Sequence, residues 1–270
     1  MKVLGVVLSI LLVGVLLICT PSASGVQRSK RPNQDGFWFQ LAVKENGGKE
    51  SKNVEGTKTV IQRRCRRLGI NCRIEQRPID PANRLMLCVS TRMDSRRLKQ
   101  ILLAEGVEVR PIVSPPFPES LVEYLTRTEA EAATDAQEET LPFIEEDRET
   151  YLITERYLIL TGNDLQNCVA LASLLDFGKY EVNCRLKAAG AARLRAWTSA
   201  NIHRHGATVL NREVISAAYI KAPIWYDFAA SGFDKKRAQD LVIIFQSGNL
   251  PAPVELLNEG TQRRGAAGCQ

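Results

Sequence analysis

The two histidines, His203 and His205, are the side chains best suited to proton transfer or zinc binding, and Arg204 lies between them. A structural zinc site needs about four Cys, His, Asp or Glu ligands, and residues two positions apart on a helix do not face each other. The pair alone therefore does not predict a metal site. The pattern favours a solvated helix end, where cationic side chains lie near the terminal carbonyls and Gly206 closes the turn.

Six cysteines follow the N-terminal segment, and none has the two-residue spacing of redox or zinc motifs. In an oxidising compartment they could form disulfides. Cys72 and Cys88 are nearly equidistant from a predicted hairpin turn, and Cys168 and Cys184 flank a second turn in the same way. The alternative is that they are separate small apolar core residues, above all Cys65. The six are Cys65, Cys72, Cys88, Cys168, Cys184 and Cys269.

The other reactive residues form no recognisable catalytic set. The sequence lacks a G-x-S-x-G elbow and a glycine-rich phosphate loop. The acidic pairs Glu138–Glu139 and Glu145–Glu146 lie in a polar run, where carboxylates favour solubility rather than acid catalysis. No cysteine has an evident histidine partner that would make it a nucleophile. We therefore expect a protein that is not an enzyme and needs no cofactor or metal.

Four arginines, Arg63, Arg64, Arg66 and Arg67, give one predicted helix a dense positive charge. Anionic lipid headgroups or acidic polypeptide could bind there, and a plain solvated surface is the alternative. Nucleic acid is not an expected partner, because no aromatic stacking residues are interleaved with the arginines.

A second candidate surface is aromatic. Trp225 and Tyr226 follow Pro223 closely, and Phe228 and Phe233 come shortly after them. Side chains of this type usually fill cores, but in this position they could line a groove for an extended peptide.

The first 25 residues predict export. Lys2 precedes an apolar run, Val3–Cys19, which is followed by Pro21 and the small residues Ser22–Gly25. This segment is either a cleaved signal peptide or a retained membrane anchor. The remainder is expected outside the cytoplasm, in the periplasm or tethered to the plasma membrane.

Charge divides the rest of the chain. Residues 129–150 carry nine acidic side chains and one arginine, which predicts a solvated acidic linker over residues 115–150. It would separate two globular halves, residues 37–114 and 151–258, and residues 259–270 would form a flexible tail.

The periodicity of the first half predicts a ferredoxin-like βαββαβ domain. Strands and helices alternate with period-two and helical apolar patterns, and Gly69 and Gly106 end the two helices. The predicted elements are strand 37–44, helix 57–68, strands 70–76 and 84–90, a helix from Asp94 to Gly106, and strand 107–113.

The second half predicts a separate α+β domain. Its last helix is capped by Asp234 and stopped by Gly248, after which Pro251 requires an extended exit. The other predicted elements are strands 152–160, 180–186, 207–210, 214–220, 224–229 and 254–257, and helices 163–175 and 191–202.

Five segments in one order resemble the periplasmic base and head of the SecD protein-export membrane protein family. A departure is Leu210-Asn211-Arg212, where the family usually has Leu-Asp-Gly, and SecD continues beyond the region of resemblance into membrane helices that couple it to proton flow. The segments are "TVIQRRCRRLGI", "LILTGNDL", "KAAGAARLRAWTSANI", "VLNREVISAAYI" and "AASGFDKKRAQDLVIIFQSGNLPAPVELL".

The resemblance implies a protein that binds unfolded or translocating polypeptide or a Sec translocon subunit at the outer face of the membrane, accessory to translocation. Because the head of SecD swings on a hinge, it also implies hinge residues at Ser247, Gly248, Leu250 and Pro251. The alternative is a structural module of a cell-envelope assembly without a role in export.

Overall fold

A computed structural model describes residues 36–44, 50–76, 81–113, 121–145, 148–174 and 176–262. The predicted signal peptide or membrane anchor at residues 1–25 lies outside these described residues. Residues 263–270 of the predicted tail also lie outside them.

The first half of the chain forms the predicted elements in the predicted order. Local signals explain this agreement, because the Asp94 carboxylate accepts a hydrogen bond from the Arg97 amide and so caps the second helix. The elements are β1 (Gly36–Val43), α1 (Glu50–Leu68), β2 (Asn71–Glu75), β3 (Arg84–Ser90), α2 (Ser95–Leu102) and β4 (Val107–Pro111).

The four-stranded sheet differs from the predicted βαββαβ arrangement in its last strand. Its order is β13-β1-β3-β2, where β13 is Val254–Gln262. β13 runs antiparallel to β1, from Val43 opposite Val254 to Gly36 opposite Gln262. A strand from the far end of the chain thus takes the place expected for β4. Residues 259–262 belong to this strand, which corrects their assignment to a flexible tail.

β4 lies instead in a six-stranded sheet of order β6-β5-β11-β10-β4-β7. It pairs with β10 and β7 and buries Val107 and Val109 on one face. The other five strands of this sheet are β5 (Glu138–Glu145), β6 (Arg148–Glu155), β7 (Leu160–Thr161), β10 (His205–Leu210) and β11 (Glu213–Tyr219).

The acidic linker prediction is wrong for the described residues between 121 and 150. They contain helix α3 (Arg127–Ala132), strand β5 and the start of β6. Thr126 and Glu129 cap α3 reciprocally through a capping box. Leu141 and Phe143 of β5 are buried in a core. The strand was not predicted, because acidic residues surround these two apolar positions and the apolar side of the strand faces inward.

A three-stranded sheet of order β12-β9-β8 completes the fold. Helices α4 (Ala188–Ala200) and α5 (Lys235–Ser247) contribute buried residues to the same core as its inner face. The strands are β8 (Leu165–Ala172), β9 (Tyr180–Leu186) and β12 (Asp227–Phe233).

The predicted helix 163–175 is wrong, since residues 165–172 form strand β8. Its register shifts between Gln166 and Val169, as in a β-bulge. The bulge places two exposed residues between the buried Leu165 and Cys168. Buried residues three apart imitate a helical stripe, which explains the error.

The largest core joins the two predicted domains. It contains Ile101 and Val107 from the first half together with Leu165, Leu241 and Phe245 from the second. All described residues accordingly fall in one compact unit. The expectation of two halves separated by a linker is therefore replaced by two parts that share a core.

Candidate functional site

Arg64 is fully buried, although it was predicted on the charged face of α1. Its guanidinium donates to the carbonyl oxygens of Leu102 at 3.0 Å, Ala104 at 2.5 Å and Gly248 at 3.1 Å. These acceptors lie at the ends of α2 and α5, where helix dipoles are negative. Burial lowers the pKa of Arg64 to about 9, so the side chain remains protonated at neutral pH. Arg64 therefore joins the two parts of the fold and is not available to an anionic partner.

The other three arginines, Arg63, Arg66 and Arg67, remain on the surface of α1. They line an open depression together with Gln246 of α5. Arg67 donates to the side-chain oxygen of Gln246. We call these three residues the arginine face, and their contact with an acidic partner remains a prediction.

The four predicted hinge residues do not form a free exit. Ser247 is buried and donates to the Ile243 carbonyl at 2.6 Å, and Gly248 ends α5 with φ of 83°. Leu250 is buried, and its amide donates to the Glu105 carbonyl at 2.7 Å. Pro251 is exposed but packs close to Gly56. Packing and hydrogen bonds therefore hold this segment in place in this structure, and a hinge at these positions remains a prediction.

Asn249, in the same segment, forms a junction that the sequence analysis missed. Its side-chain oxygen accepts from the Gly162 amide at 3.1 Å, and its side-chain nitrogen donates to the Val107 carbonyl at 3.2 Å. A Cβ atom on Gly106 would lie 2.2 Å from the Asn249 side chain, and one on Gly162 would lie 2.3 Å from it. The glycines are thus required by close approach.

Two of the four predicted groove residues are buried. Phe228 and Phe233 are 6% and 7% exposed and belong to the largest core. They therefore cannot line a groove. Trp225 and Tyr226 are exposed, with their rings 6.3 Å apart. The guanidinium of Arg195 lies 3.3 Å from the centroid of the Trp225 ring, and that of Arg185 lies 5.7 Å from the Tyr226 centroid. The exposed pair already has cationic partners.

A different apolar surface lies on β8 and on the turn that joins it to β9. Leu174 and Phe177 in this turn are fully exposed, and Val169 and Leu171 on edge strand β8 are about half exposed. We call these four residues the apolar hairpin. These residues were not predicted as a surface, because the sequence pattern indicated a helix over residues 163–175. The available signal was the pair of apolar residues on either side of Asp176, followed by Gly178.

A cleft of about 290 Å³ adjoins the apolar hairpin. It lies where β5 and β11 diverge, because these parallel strands pair only at Val214 and Phe143. We call it the strand-gap cleft. Its lining includes Phe143, Ile144 and Glu145 of β5, Ile215–Ala217 of β11, Ser173, Asp176, Lys179 and Glu181 of the β8–β9 region, and Ser231 and Gly232 of β12.

The histidines do not form the predicted solvated helix end. His205 is buried as the first residue of β10, and Gly206 is the second. The His203 ring nitrogen Nδ1 lies 2.6 Å from the Tyr219 hydroxyl. Among the described residues, no group of three or more His, Cys, Asp or Glu side chains could hold a metal ion.

One of the two predicted disulfides is confirmed. Cys168 and Cys184 are bonded across the β8–β9 pair. Cys72, however, is bonded to Cys65 at the end of α1. Cys72 is opposite Val89 in the β2–β3 register, so it and the neighbouring Cys88 project from opposite faces of the sheet. This alternation explains why the predicted Cys72–Cys88 pair does not form.

Glu139 of β5 is buried between two arginines, Arg110 and Arg212. Burial by itself would raise the pKa of Glu139, but the hydrogen bond from Arg110 and the attraction of Arg212 hold it below its usual range. Arg212 has a positive φ of 62° and occupies the position where the SecD family usually has glycine. The ion pair therefore accompanies a backbone conformation that glycine would adopt more readily.

These observations define an α+β fold in which the discontinuous four-stranded sheet has a core of its own, and in which Ile101 of α2 packs in the core of the larger mixed part. The exposed features are an apolar hairpin beside a cleft and a separate arginine face. No helix among the described residues is long and apolar enough to cross a membrane.

Comparison with known proteins confirms the resemblance to SecD. Residues 137–252 match the family model of the SecDF P1 head subdomain. Protein translocase subunit SecD from Aquifex aeolicus is 32% identical over 134 residues, which are 49% of this chain and 26% of that protein. SecD from Elusimicrobium minutum is 35% identical over 108 residues, 40% of this chain and 23% of that protein. The matched region thus spans about a quarter of these relatives.

Solved SecDF structures share the fold over most of the chain. A crystal structure of SecDF in a super-membrane-facing form superposes with a TM-score of 0.61 at 19% identity, over 85% of this chain and 30% of that one. A second SecDF structure, described as a membrane component that enhances protein export, has a TM-score of 0.58 at 20% identity. It covers 82% of this chain and 98% of the solved chain.

Proposed function

We propose that this chain is a non-catalytic, exported SecD-like protein that binds unfolded polypeptide as an accessory to translocation through the Sec system. It would act outside the cytoplasm, in the periplasm or tethered to the plasma membrane. The match of residues 137–252 to the SecDF P1 head subdomain supports this assignment. So does the shared fold of a SecDF component described as enhancing protein export.

Within this proposal, the four-stranded sheet with α1 and α2 corresponds to the base, in which β13 supplies the fourth strand of a ferredoxin-like arrangement. The six-stranded and three-stranded sheets with α4 and α5 correspond to the head. The shared core and the contact of Arg64 with the Gly248 carbonyl connect them.

The apolar hairpin is the observation that carries the binding proposal. Leu174 and Phe177 expose their side chains completely to solvent, at 99% and 104%. Burying such a side chain against a partner contributes about 1.5–3 kcal/mol. Unfolded polypeptide supplies apolar side chains together with free backbone groups. Edge strand β8 could pair with those groups by strand addition.

Titration of the protein with a fluorescent, permanently unfolded polypeptide would test the proposal. Replacing both residues, Leu174→Ser with Phe177→Ser, should weaken binding about tenfold or more. The control is Leu125→Ser, because Leu125 is also an exposed leucine, at 71%, but does not belong to the apolar hairpin. Absence of saturable binding to the unaltered protein would refute the proposal.

The arginine face favours a second candidate, a structural module of a cell-envelope assembly with an acidic partner. Three adjacent guanidinium groups would attract carboxylates at the periplasmic surface. A photo-crosslinker in place of Arg66 would separate the two candidates in cells. Adducts with Sec translocon subunits support the export role, and adducts with other envelope proteins support the structural module.

A further inference from the structure

We propose that the strand-gap cleft binds extended polypeptide segments in which a lysine or arginine adjoins apolar residues. The inference deepens the proposed function and rests on it, because it specifies which segments of an unfolded chain are preferred. Three features of the cleft, namely charge, apolar surface and an open strand edge, lead to this partner.

The charge of the cleft is opposite to that of the chain. Its lining contains the carboxylates of Glu145, Asp176 and Glu181 and a single cation, Lys179, whereas the whole sequence has a formal net charge of +6. None of the three carboxylates forms an ion pair within the described part of the chain. Arg148, opposite Glu145 in the β5–β6 register, pairs with Glu123 instead. The cleft therefore attracts cationic groups.

The apolar surface lies directly beside these carboxylates. Ile144 lines the cleft and is half exposed, and Leu171 is opposite Glu181 in the β8–β9 register. The fully exposed Leu174 and Phe177 lie in the turn between the lining residues Ser173 and Lys179. A ligand that satisfies both features must present apolar and cationic side chains next to each other.

The open strand edge favours a polypeptide over a small cation. β11 pairs with β5 at one position only, and its residues 215–217 line the cleft beyond that point. An extended segment could pair with this edge, because strand addition uses backbone groups that every polypeptide has. Alternate side chains would then face the apolar residues and the carboxylates. Anionic lipid and acidic polypeptide would be repelled by the same carboxylates.

Three fluorescent peptides of equal length test the inference by anisotropy with the full chain. They alternate leucine with lysine, with glutamate or with serine. The lysine peptide should bind about tenfold more tightly than the glutamate peptide at low salt, because exposed ion pairs each change affinity by a few-fold. The difference should shrink in 0.5 M salt, where charges are screened beyond about 4 Å.

Variants locate the effect. Glu145→Gln combined with Glu181→Gln should weaken binding of the lysine peptide about fivefold and leave binding of the serine peptide unchanged. Glu255→Gln removes one carboxylate from β13, in the four-stranded sheet, and should have no effect on either peptide. Circular dichroism would verify that the variants are folded.

The outcomes distinguish the inference from the function on which it rests. The inference is overturned if the lysine and glutamate peptides bind equally well, or if the double variant binds the lysine peptide as tightly as the unaltered protein. Polypeptide binding would stand in either case. Failure of all three peptides and of the unfolded polypeptide to bind overturns both.

Discussion

Replacing Arg64 by methionine tests how the two parts of the fold are joined. Methionine replaces the aliphatic stem of arginine and suits an apolar position, but it lacks the guanidinium and cannot donate to the three carbonyl oxygens that Arg64 contacts. The substitution leaves the neighbouring disulfide between Cys65 and Cys72 intact. Its effect should therefore report on the guanidinium contacts between α1 and the ends of α2 and α5.

Two opposing terms set the magnitude. Hydrogen bonds to a charged group contribute about 1.5–3 kcal/mol each, so loss of the three bonds of Arg64 costs about 7 kcal/mol. Methionine also removes the cost of burying the charge. Burial lowers the pKa of Arg64 from its usual value to about 9, which corresponds to about 5 kcal/mol. The cost of losing the hydrogen bonds therefore exceeds the gain from removing the buried charge by about 2 kcal/mol.

Urea unfolding followed by circular dichroism at pH 7 measures this difference. We expect Arg64→Met to lower the free energy of unfolding by about 2 kcal/mol, and Arg63→Met, at the exposed neighbouring position, to change it by less than about 0.5 kcal/mol. Hydrogen exchange should also quicken at the Leu250 amide, which is bonded to Glu105 beside the junction. Equal stability of the two variants would refute the role of Arg64 in joining α1 to the ends of α2 and α5.

Three further predictions concern stability and are checked by urea unfolding. Replacing Cys168 and Cys184 by serine opens a loop with a sequence separation of 16 and should cost about 3 kcal/mol, and a loss below about 1 kcal/mol would contradict this. Arg212→Gly should be more stable than Arg212→Ala by about 1 kcal/mol, because glycine tolerates the positive φ, and equal stabilities would exclude backbone strain. The lowered pKa of Glu139 means that its ionised form stabilises the fold above the unfolded-state pKa of about 4.5, and that this stability is lost as pH falls through the lower folded-state pKa. Glu139→Gln should therefore reduce the loss of stability between about pH 5 and pH 3, and an unchanged pH profile would contradict the ion pair with Arg110.

Local sequence signals predicted the helices whose ends are capped by their own neighbours. The Asp234 carboxylate accepts from the Arg237 amide, and α5 begins and ends close to the residues expected from Asp234 and Gly248. These contacts span a few residues, so their pattern is visible in the sequence. For α4 the sequence predicted a helix over residues 191–202, and the helix spans Ala188–Ala200.

Partners distant in sequence were not predictable from the same signals. The alternation of apolar residues in β4 indicates a strand but does not say which sheet it joins, and β13 occupies the expected place. The burial of Arg64 did leave a signal, because it lies on the stripe formed by Val60, Ile61 and Leu68. The charge of Arg64 suggested a surface position, whereas its place on the apolar stripe indicated the core.

The apolar hairpin was missed for a specific geometric reason. A bulge in β8 separates Leu165 and Cys168 by three positions, the spacing of a helical face, although both lie on the inner side of a strand. Bulges of this kind depend on pairing with β9 and on Asn167, whose φ is 49°. Because residues 165–172 form a strand and not a helix, Leu174 and Phe177 lie exposed in the turn that follows, and the cleft lies beside them.

Hydrogen exchange of the full chain with and without a bound unfolded polypeptide tests polypeptide binding most directly. We expect slower exchange at residues 215–217 of β11 and 176–181 beside the strand-gap cleft, with little change in the four-stranded sheet. Slower exchange confined to the arginine face of α1, or no change at saturating polypeptide, would contradict this expectation.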